Sequence, residues 1–316
     1  MRKRILVWGF CMMAGLCVSA QTKTSGNFAR EFTFTTDNDA FLFGKNDAYY
    51  TNGFFFALKT AKEQKGKRVI RSWELGQMIY TPLIRKTLSP ADIDRPYCGY
   101  LFLKFSETRF PGTRSVLQFN GGIGEIGAAS GGEDVQDSYH KLLNYARFTG
   151  WQYQVQNALG ADMGATYSYT LLEDSTWLKL VPTVQGNLGM NFTNAKLGAW
   201  LCLGSFENNA NSALWDARVQ GTEIETRRKY ELFLYWHPEL ILQGYNSTAQ
   251  GGLFSKGNSM AVIRDPEPVM FQQTIGVCYA EGRWTIQLAV IHQSREVTTQ
   301  TNPQNYGSIR VSYRFH

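Results

Sequence analysis

Apolar and polar residues alternate along many short segments of this chain. In EFTFT (31–35) each phenylalanine is followed by a threonine, and the same period of two returns in residues 166–171, 284–290 and 310–315. Successive side chains of a β-strand point to opposite faces, so this pattern predicts strands with one apolar and one polar face. The sequence therefore predicts an all-β protein.

About twelve strands fit the pattern, with some boundaries open in the second half. We predict strands at 29–36, 50–60, 68–80, 98–110, 114–122, 150–157, 162–171, 176–188, 194–204, 228–237, 270–280, 283–291 and 306–315. Along the first six, longer connections at 37–49, 81–97 and 123–149 alternate with short turns, the last of them near Gly160. Short periplasmic turns and long surface loops are typical of outer-membrane barrels.

The N-terminus has the features of an export signal. Residues 2–4 are basic, residues 5–16 are mainly apolar, and residues 18–20 form a small-residue cleavage site. This pattern predicts a signal peptide at 1–20 and a mature chain of 21–316. No later segment contains an apolar run long enough for a transmembrane helix.

Alternation alone does not separate a secreted β-sandwich from a membrane barrel. The export signal, the 14% aromatic content and a last strand that carries Phe315 next to the C-terminus favour the barrel. We therefore expect one antiparallel transmembrane β-barrel in the bacterial outer membrane, monomeric, with its long loops on the cell surface.

Charge and cysteine content exclude several other classes. The formal net charge of +6 falls to about +3 without the signal, which gives no reason to expect a nucleic-acid partner. The scattered Cys98, Cys202 and Cys278 do not form a disulfide framework. A GxGxxG match at 122–127 lacks the βαβ context of a dinucleotide site. We interpret the polar runs near Asn208 and Gly251 as flexible loops.

A short helix is predicted near residues 133–146, within the longest connection. Gln136 and His140 are four residues apart and so share one face. An adjacent stripe is apolar and contains Tyr139, Leu142, Leu143 and Ala146. We expect the helix to lie across the barrel mouth with its polar edge against the wall. His140 suits a general base that takes a proton from water, and the alternative is a solvated surface histidine.

Other candidate groups lie in the first two long connections. Asn38 and Asp39 supply the oxygen ligands that Ca²⁺ prefers, or they close an Asx turn. Thr51 could donate from its hydroxyl, or simply begin a strand. Arg95 could receive a phosphate group, or pair with Asp94.

Five motifs in order resemble one family. They are NDxF (38–41), DxYYTNG (47–53), YTP (80–82), DRPYxG (94–99), and QxxxH followed by GW (136–151). Together they resemble the outer-membrane lipid A 3′-O-deacylases over residues 30–157. The resemblance implies a twelve-stranded barrel that uses Ca²⁺ to hydrolyse the ester-linked acyloxyacyl chain at the 3′ position of lipid A.

The resemblance also implies roles for single residues. His140 would be the base, Gln136 would orient water or substrate, and Asn38 with Asp39 would belong to the Ca²⁺ and oxyanion region. Thr51 would be a further site residue, and Arg95 would bind substrate. One segment, GGIGEIGAASGGE (121–133), departs from the family pattern and bears on the placement of the helix.

Two other functions remain open from the sequence. One is a phospholipase-like esterase that acts on glycerophospholipids of the outer membrane. The other is a non-enzymatic barrel, either a small channel or a surface-binding protein. The leading hypothesis has lipid A, within lipopolysaccharide, as the substrate.

Overall fold

The structure, a computed structural model, describes residues 28–42, 48–64, 67–174, 177–219, 228–255 and 260–316. The predicted signal peptide lies outside these residues. The strands are β1 (Arg30–Asn38), β2 (Tyr49–Gln64), β3 (Lys67–Thr81), β4 (Cys98–Arg109), β5 (Ser115–Ile126), β6 (Ala158–Tyr169), β7 (Leu172–Asp174), β8 (Leu178–Gly189), β9 (Phe192–Ser205), β10 (Tyr230–Asn246), β11 (Val269–Glu281), β12 (Trp284–Gln293) and β13 (Gln304–Phe315). The α-helices of the described part are α1 (Gly132–Leu143) and α2 (Ser247–Gln250).

Twelve of these strands close into one antiparallel barrel. Each strand pairs with its neighbour along the chain, β1 pairs with β13, and β6 pairs with β8. The short β7 pairs only with β8 and lies outside the closed ring. The predicted fold class is confirmed, as is the short helix near residues 133–146. No helix in the described ranges is long and apolar enough to cross a membrane.

The apolar faces of the strands point away from the barrel interior. In β1, Phe32 is 42% exposed, whereas Glu31 and Thr33 beside it are each 2% exposed. Exposed tyrosines and tryptophans also cluster where β6 ends and where β8, β10 and β12 begin; they are Tyr167, Tyr169, Trp177, Tyr230 and Trp284. An apolar outer surface edged by aromatic rings matches a barrel that faces lipid.

The two ends of the barrel differ in their connections. At one end, which we call the loop end, lie the described residues of six connections: 39–42 with 48, 82–97, 127–157, 190–191, 247–255 with 260–268, and 294–303. At the opposite end, the turn end, β2 ends and β3 begins, and the described residues of the other connections there are 110–114, 170–174, 177, 206–219, 228–229 and 282–283. The predicted alternation of long and short holds in the first half. In the second half a tight turn, 190–191, lies at the loop end, and a long connection, 206–229, lies at the turn end.

The predicted strand at 150–157 is wrong. Residues Trp151–Tyr153 form a 3-10 turn, and the sixth strand begins at Ala158, so that Gly160 lies inside a strand rather than in a turn. The side chains of Trp151 and Val155 are both buried, Trp151 against the ring of Tyr97. Tertiary contacts at the loop end thus explain the apolar positions that resembled a two-faced strand.

The segment 206–219 fills part of the barrel interior at the turn end, and we call it the plug. Asn209, Asn211 and Ser212 are buried, and Asp216 forms ion pairs with Lys59 and Arg310 on the strands. The interpretation of this asparagine-rich run as a loose loop is therefore wrong. A cavity of about 240 Å³ lies beside the plug, with Asp216 and Arg310 in its lining.

Candidate active site at the loop end

Helix α1 reaches the barrel wall through a close backbone contact. A Cβ atom at Gly99 in β4 would lie 2.8 Å from the Cα atom of Gly132, so only glycine allows this approach. Gly131, which caps the helix, has φ of 71°, in the left-handed region that favours glycine. The glycine-rich segment that departs from the family pattern therefore still brings α1 against β4.

The polar edge of α1 is its buried edge. Gln136 and His140 are each 1% exposed, whereas Leu142 is 81% exposed. A helix that packs only for stability would bury leucine and expose glutamine and histidine. The expectation that the polar edge faces the wall is met, and His140 is not a solvated surface residue.

The end of α1 holds the imidazole of His140 in one tautomer. Asn144 caps the helix with φ of 58°, and the chain turns back so that the amide of Tyr145 donates to the His140 carbonyl at 2.8 Å. The carbonyl of Ala146 then lies 2.7 Å from His140 Nδ1. A carbonyl only accepts, so Nδ1 carries the hydrogen and Nε2 of the neutral ring carries the lone pair.

Gln136 links the helix to the barrel strands. Its Oε1 accepts from Trp151 Nε1 at 3.1 Å, and its Nε2 donates to Thr51 Oγ1 at 3.5 Å. Because an indole nitrogen only donates, this contact fixes which way the amide of Gln136 points. The hydroxyl of Thr51 donates in turn to the Ile79 carbonyl at 3.3 Å, which ties α1 to β2 and β3.

Asn38 and Asp39 lie at the loop end of β1 and reach the same network. Asn38 Nδ2 donates to Asn52 Oδ1, and Asn52 Nδ2 donates to Thr51 Oγ1 at 3.4 Å. The oxygen of Asn38 accepts from the Ala40 amide at 2.7 Å, which is the Asx turn of the alternative interpretation. Hydrogen bonds thus connect Asn38, Asn52, Thr51 and Gln136 in series.

Asp39 brings a buried carboxylate to this end of the network. It begins the 3-10 helix Asp39–Leu42 and accepts from the Ala48 amide at 3.0 Å through Oδ2. Asn38, Thr51 and Asn52 of the adjoining network carry side-chain oxygens, and oxygen is the donor type that Ca²⁺ requires. Within the described ranges, no group of three or more His, Cys, Asp or Glu side chains could hold a metal. In the part of this network that the structure describes, a carboxylate and neutral oxygens fit a hard cation rather than a zinc-type site.

Arg95 lies in a different environment from the one expected. It is fully buried, and its guanidinium donates to Glu296 from Nε at 3.0 Å and from Nη2 at 2.7 Å, and to Thr248 from Nη2 at 2.9 Å. It also lies 3.8 Å from the centre of the Tyr80 ring. Arg95 therefore joins three loop-end connections, and its ionic partner is Glu296 rather than Asp94.

Two important residues were missed by the sequence interpretation. Trp151 was assigned to a strand, yet it is the donor that orients Gln136. Tyr97 packs against Trp151 with ring centroids 5.2 Å apart, and its hydroxyl lies 2.9 Å from that of Thr87. Burial raises the pKa of Tyr97 to about 12, so the phenol stays neutral at ordinary pH. The signal for both was present in the YxG and GW motifs.

The comparisons with known proteins concern the family and the fold of the chain. A family model described as outer membrane protein LpxR matches residues 6–315. No curated protein sequence among those compared matches the chain. The structure of LpxR from Salmonella typhimurium aligns with a TM-score of 0.73 and 19% identity, over 90% of this chain and 100% of that one.

Other solved barrels align less well. The beta domain of the Bordetella autotransporter BrkA has a TM-score of 0.45 and 10% identity, over 92% of this chain and 100% of that chain. The family match spans nearly the whole sequence, and the five ordered motifs lie within it. The chain therefore belongs to the LpxR family of outer-membrane proteins, the family of lipid A 3′-O-deacylases to which those motifs pointed.

Proposed function

We propose that this protein hydrolyses the ester bond at the 3′ position of lipid A in the outer leaflet and releases the acyloxyacyl chain. The observation that carries the proposal is the buried His140, whose Nδ1 donates to the Ala146 carbonyl at 2.7 Å. This contact leaves Nε2 as the basic atom of a neutral imidazole, one helical turn from Gln136 and its link to Thr51. Family membership supports the lipid A substrate.

The reaction follows from the chemistry of these side chains. His140 Nε2 takes a proton from water, and the hydroxide adds to the ester carbonyl carbon. The tetrahedral intermediate collapses with cleavage of the bond to the sugar oxygen, which receives the proton from the imidazolium. The products are a free 3′ hydroxyl and a fatty acid, and the ring returns to its neutral tautomer.

The remaining residues of the network have positioning roles. Gln136 is held between Trp151 and Thr51, so its amide is fixed before substrate binds. Preorganised dipoles stabilise developing charge without reorganisation at the moment of reaction. Asp39, with the oxygens of Asn38 and Thr51, would hold Ca²⁺, which supplies Lewis-acid stabilisation of the ester oxygen when bound.

The test compares the protein with His140→Gln in a host whose lipid A carries the 3′ acyloxyacyl chain. Mass spectrometry of extracted lipid A should show loss of that chain with the parent protein and intact lipid A with the variant. Equal trimming by both proteins would reject His140 as the base. Intact lipid A with both proteins would reject the activity itself.

A second measurement addresses the metal and the substrate class. Purified protein in detergent is given lipid A or a glycerophospholipid, each with added Ca²⁺ or with EDTA. The proposal expects fatty acid release from lipid A with Ca²⁺ only. Release from the glycerophospholipid at an equal rate would favour the phospholipase-like alternative, and release that is unaffected by EDTA would reject the role of Ca²⁺.

A further inference from the structure

One buried amide on the outer face of β3 has no partner. Gln77 is 9% exposed, and its Nε2 atom forms no hydrogen bond with any part of the chain that the structure describes. An amide nitrogen that is shielded from water normally donates to a neighbouring acceptor, because burial without a partner costs free energy. An unpaired donor of this kind is therefore a candidate for contact with a ligand.

Gln77 lies at the boundary between the covered and the lipid-facing parts of the barrel wall. Side chains at alternate positions of β3 share one face of the sheet. Exposure along the outer face falls from 55% at Trp73 and 48% at Leu75 to 9% at Gln77 and 0% at Ile79. Residues of this face towards the turn end are thus open to lipid, whereas those towards the loop end lie under other parts of the protein.

Helix α1 lies over the loop-end side of this boundary. Ile79 pairs with Gly99 in the ladder between β3 and β4, and Gly99 is the residue whose backbone closely approaches that of α1. The Ile79 carbonyl also accepts from Thr51, which itself accepts from Gln136 on α1. Because a strand rises about 3.3 Å per residue, Gln77 lies roughly 7 Å from Ile79 in the direction of the lipid. The unpaired amide therefore lies between the network beside α1 and the lipid-facing surface.

The neighbours of Gln77 across the sheet are apolar. Gln77 lies opposite Phe54 of β2 and opposite Leu101 of β4, and neither side chain contains an oxygen or nitrogen atom. The next residue towards the turn end on the same face is Leu75. These surroundings suit an acyl chain, and the single amide donor among them suits a carbonyl oxygen carried by that chain.

We propose that Gln77 Nε2 donates a hydrogen bond to a carbonyl oxygen of the 3′ acyloxyacyl chain of bound lipid A. This inference rests on the proposed function, which puts the ester of that chain beside His140. From there the apolar chain has to return to the lipid, and the outer face of β3 leads past Gln77 to Leu75. An acyloxyacyl chain carries two ester carbonyls close together, one at the sugar and one where the second acyl group is attached. Either of them supplies the acceptor that the protein itself does not provide.

This assignment separates the effect of Gln77 on binding from its effect on stability. Gln77→Met keeps a long unbranched side chain and removes the donor. Because Nε2 has no partner among the described residues, the loss of this donor should not lower the unfolding temperature of the barrel in detergent. A lower unfolding temperature would show a structural role instead and would overturn the inference.

The binding test uses the full-length His140→Gln protein, which does not turn the substrate over. The purified protein in detergent is titrated with three probes, and bound lipid is counted by native mass spectrometry. The probes are lipid A with the complete 3′ acyloxyacyl chain, lipid A that lacks only the secondary acyl group of that chain, and lipid A that lacks the whole 3′ chain. The test variant adds Gln77→Met, and the matched control adds Leu75→Met on the same face of the same strand.

Gln77→Met should weaken the binding of complete lipid A by about fivefold, which corresponds to one hydrogen bond to a neutral group. It should not affect the binding of lipid A without the 3′ chain, and Leu75→Met should bind all three probes as the parent does. A loss that persists without the secondary acyl group supports the proposal with the carbonyl of the cleaved ester as the acceptor. A loss that disappears with that group supports it with the second ester. No loss, or an equal loss for all three probes, would overturn it.

The same measurements keep this inference separate from the proposed hydrolysis. If Gln77→Met loses the binding that depends on the 3′ chain while the protein with His140 intact cleaves no ester, the inference stands and the hydrolysis fails. If the protein cleaves lipid A but Gln77→Met does not change lipid binding, the hydrolysis stands and the inference fails.

Discussion

The two ends of the barrel are organised by different chemistry. At the turn end, charges alternate in series: Arg314 pairs with Glu31 at 3.0 Å, Glu31 with Lys59 at 3.0 Å, Lys59 with Asp216 at 3.0 Å, and Asp216 with Arg310 at 2.8 Å. At the loop end, Asn38, Asn52, Thr51 and Gln136 are joined by hydrogen bonds between neutral groups. We call the series at the turn end the ionic lock; the network beside α1 is neutral, although the buried ion pair of Arg95 and Glu296 lies at the same end of the barrel.

The difference follows from what each end has to do. Buried ion pairs are costly to break, because the loss of one partner leaves an uncompensated charge in a region of low dielectric constant. Such pairs suit a plug that stays in place. A neutral hydrogen-bonded network fixes the orientation of amides and imidazole without committing charge, so a proton and a substrate anion can be accommodated. Substitutions in the ionic lock should therefore change the thermal stability of the barrel, whereas substitutions in the neutral network should change the rate of the proposed hydrolysis.

The largest effect is expected for His140→Gln at the loop end. General base catalysis typically contributes 10²- to 10⁴-fold, so the rate of lipid A hydrolysis should fall by roughly that factor. The temperature at which the barrel unfolds in detergent, monitored by its electrophoretic mobility, should equal that of the parent protein. A large loss of heat resistance would mean that His140 is structural.

Lys59→Met should lower the thermal stability of the barrel and leave the rate of hydrolysis nearly unchanged. It leaves Glu31 and Asp216 without their shared cation inside the barrel, and the loss of a buried partner costs about 3 kcal/mol. Thermal unfolding in detergent should begin at a lower temperature, while the rate of hydrolysis measured well below that temperature should stay within about twofold. Lys62→Met, at an exposed position of the same strand, is the matched control and should leave both quantities unchanged. A slower hydrolysis by Lys59→Met without a lower unfolding temperature would contradict the assignment of the ionic lock to stability.

Trp151→Phe should have a moderate effect confined to the site. It keeps an aromatic ring against Tyr97 but removes the donor to Gln136 Oε1, and one hydrogen bond to a neutral group contributes about 1 kcal/mol. We expect kcat to fall by about fivefold with little change in KM. A fall in heat resistance with an unaltered kcat would assign Trp151 to packing alone.

The smallest expected effect is the pH dependence of the plug. Burial alone would raise the pKa of Asp216, but the charges of Arg310 and Lys59 outweigh it and hold the pKa below its ordinary value. A carboxylate whose folded-state pKa is depressed stabilises the fold above its unfolded value of about 3.9, and that contribution is lost as pH falls through the lower folded value.

Acidification below about pH 4 should therefore lower the thermal stability of the parent more than that of Asp216→Asn. Above about pH 5 the parent should be the more stable of the two. If the difference in unfolding temperature between the two proteins stayed constant from pH 3 to pH 7, the Asp216 carboxylate would not contribute to the ionic lock.

Much of the fold was predictable because the barrel strands repeat one local rule. Alternation located twelve of the thirteen strands, and the failures are instructive. Residues 150–157 also alternate, but Trp151 and Val155 are buried by other loops rather than by a sheet. The run near Asn208 is polar, but inside the barrel Asn209 donates to Thr170 Oγ1 and accepts from Trp215 Nε1, and composition does not reveal such partners.

The candidate site was predictable in part for a similar reason. Gln136 and His140 share a helix face because they are four residues apart, and this relation does not depend on the rest of the chain. The spacing does not say which face is buried, and the burial of the polar edge with Leu142 outside is a property of the docked helix. For Arg95, sequence neighbours offered Asp94, whereas the structure offers Glu296 from a connection two hundred positions away.

The sequence alone determined which segments are strands, which faces of those strands are apolar, and the family to which the ordered motifs point. These properties depend on residues close together along the chain. The tertiary structure decided the tautomer of His140, the partners of Gln136, the burial of Arg95 and the path of the plug through the barrel. Those properties depend on groups that become neighbours only when the cylinder closes, because burial and hydrogen-bond partners are defined by the complete surroundings of an atom.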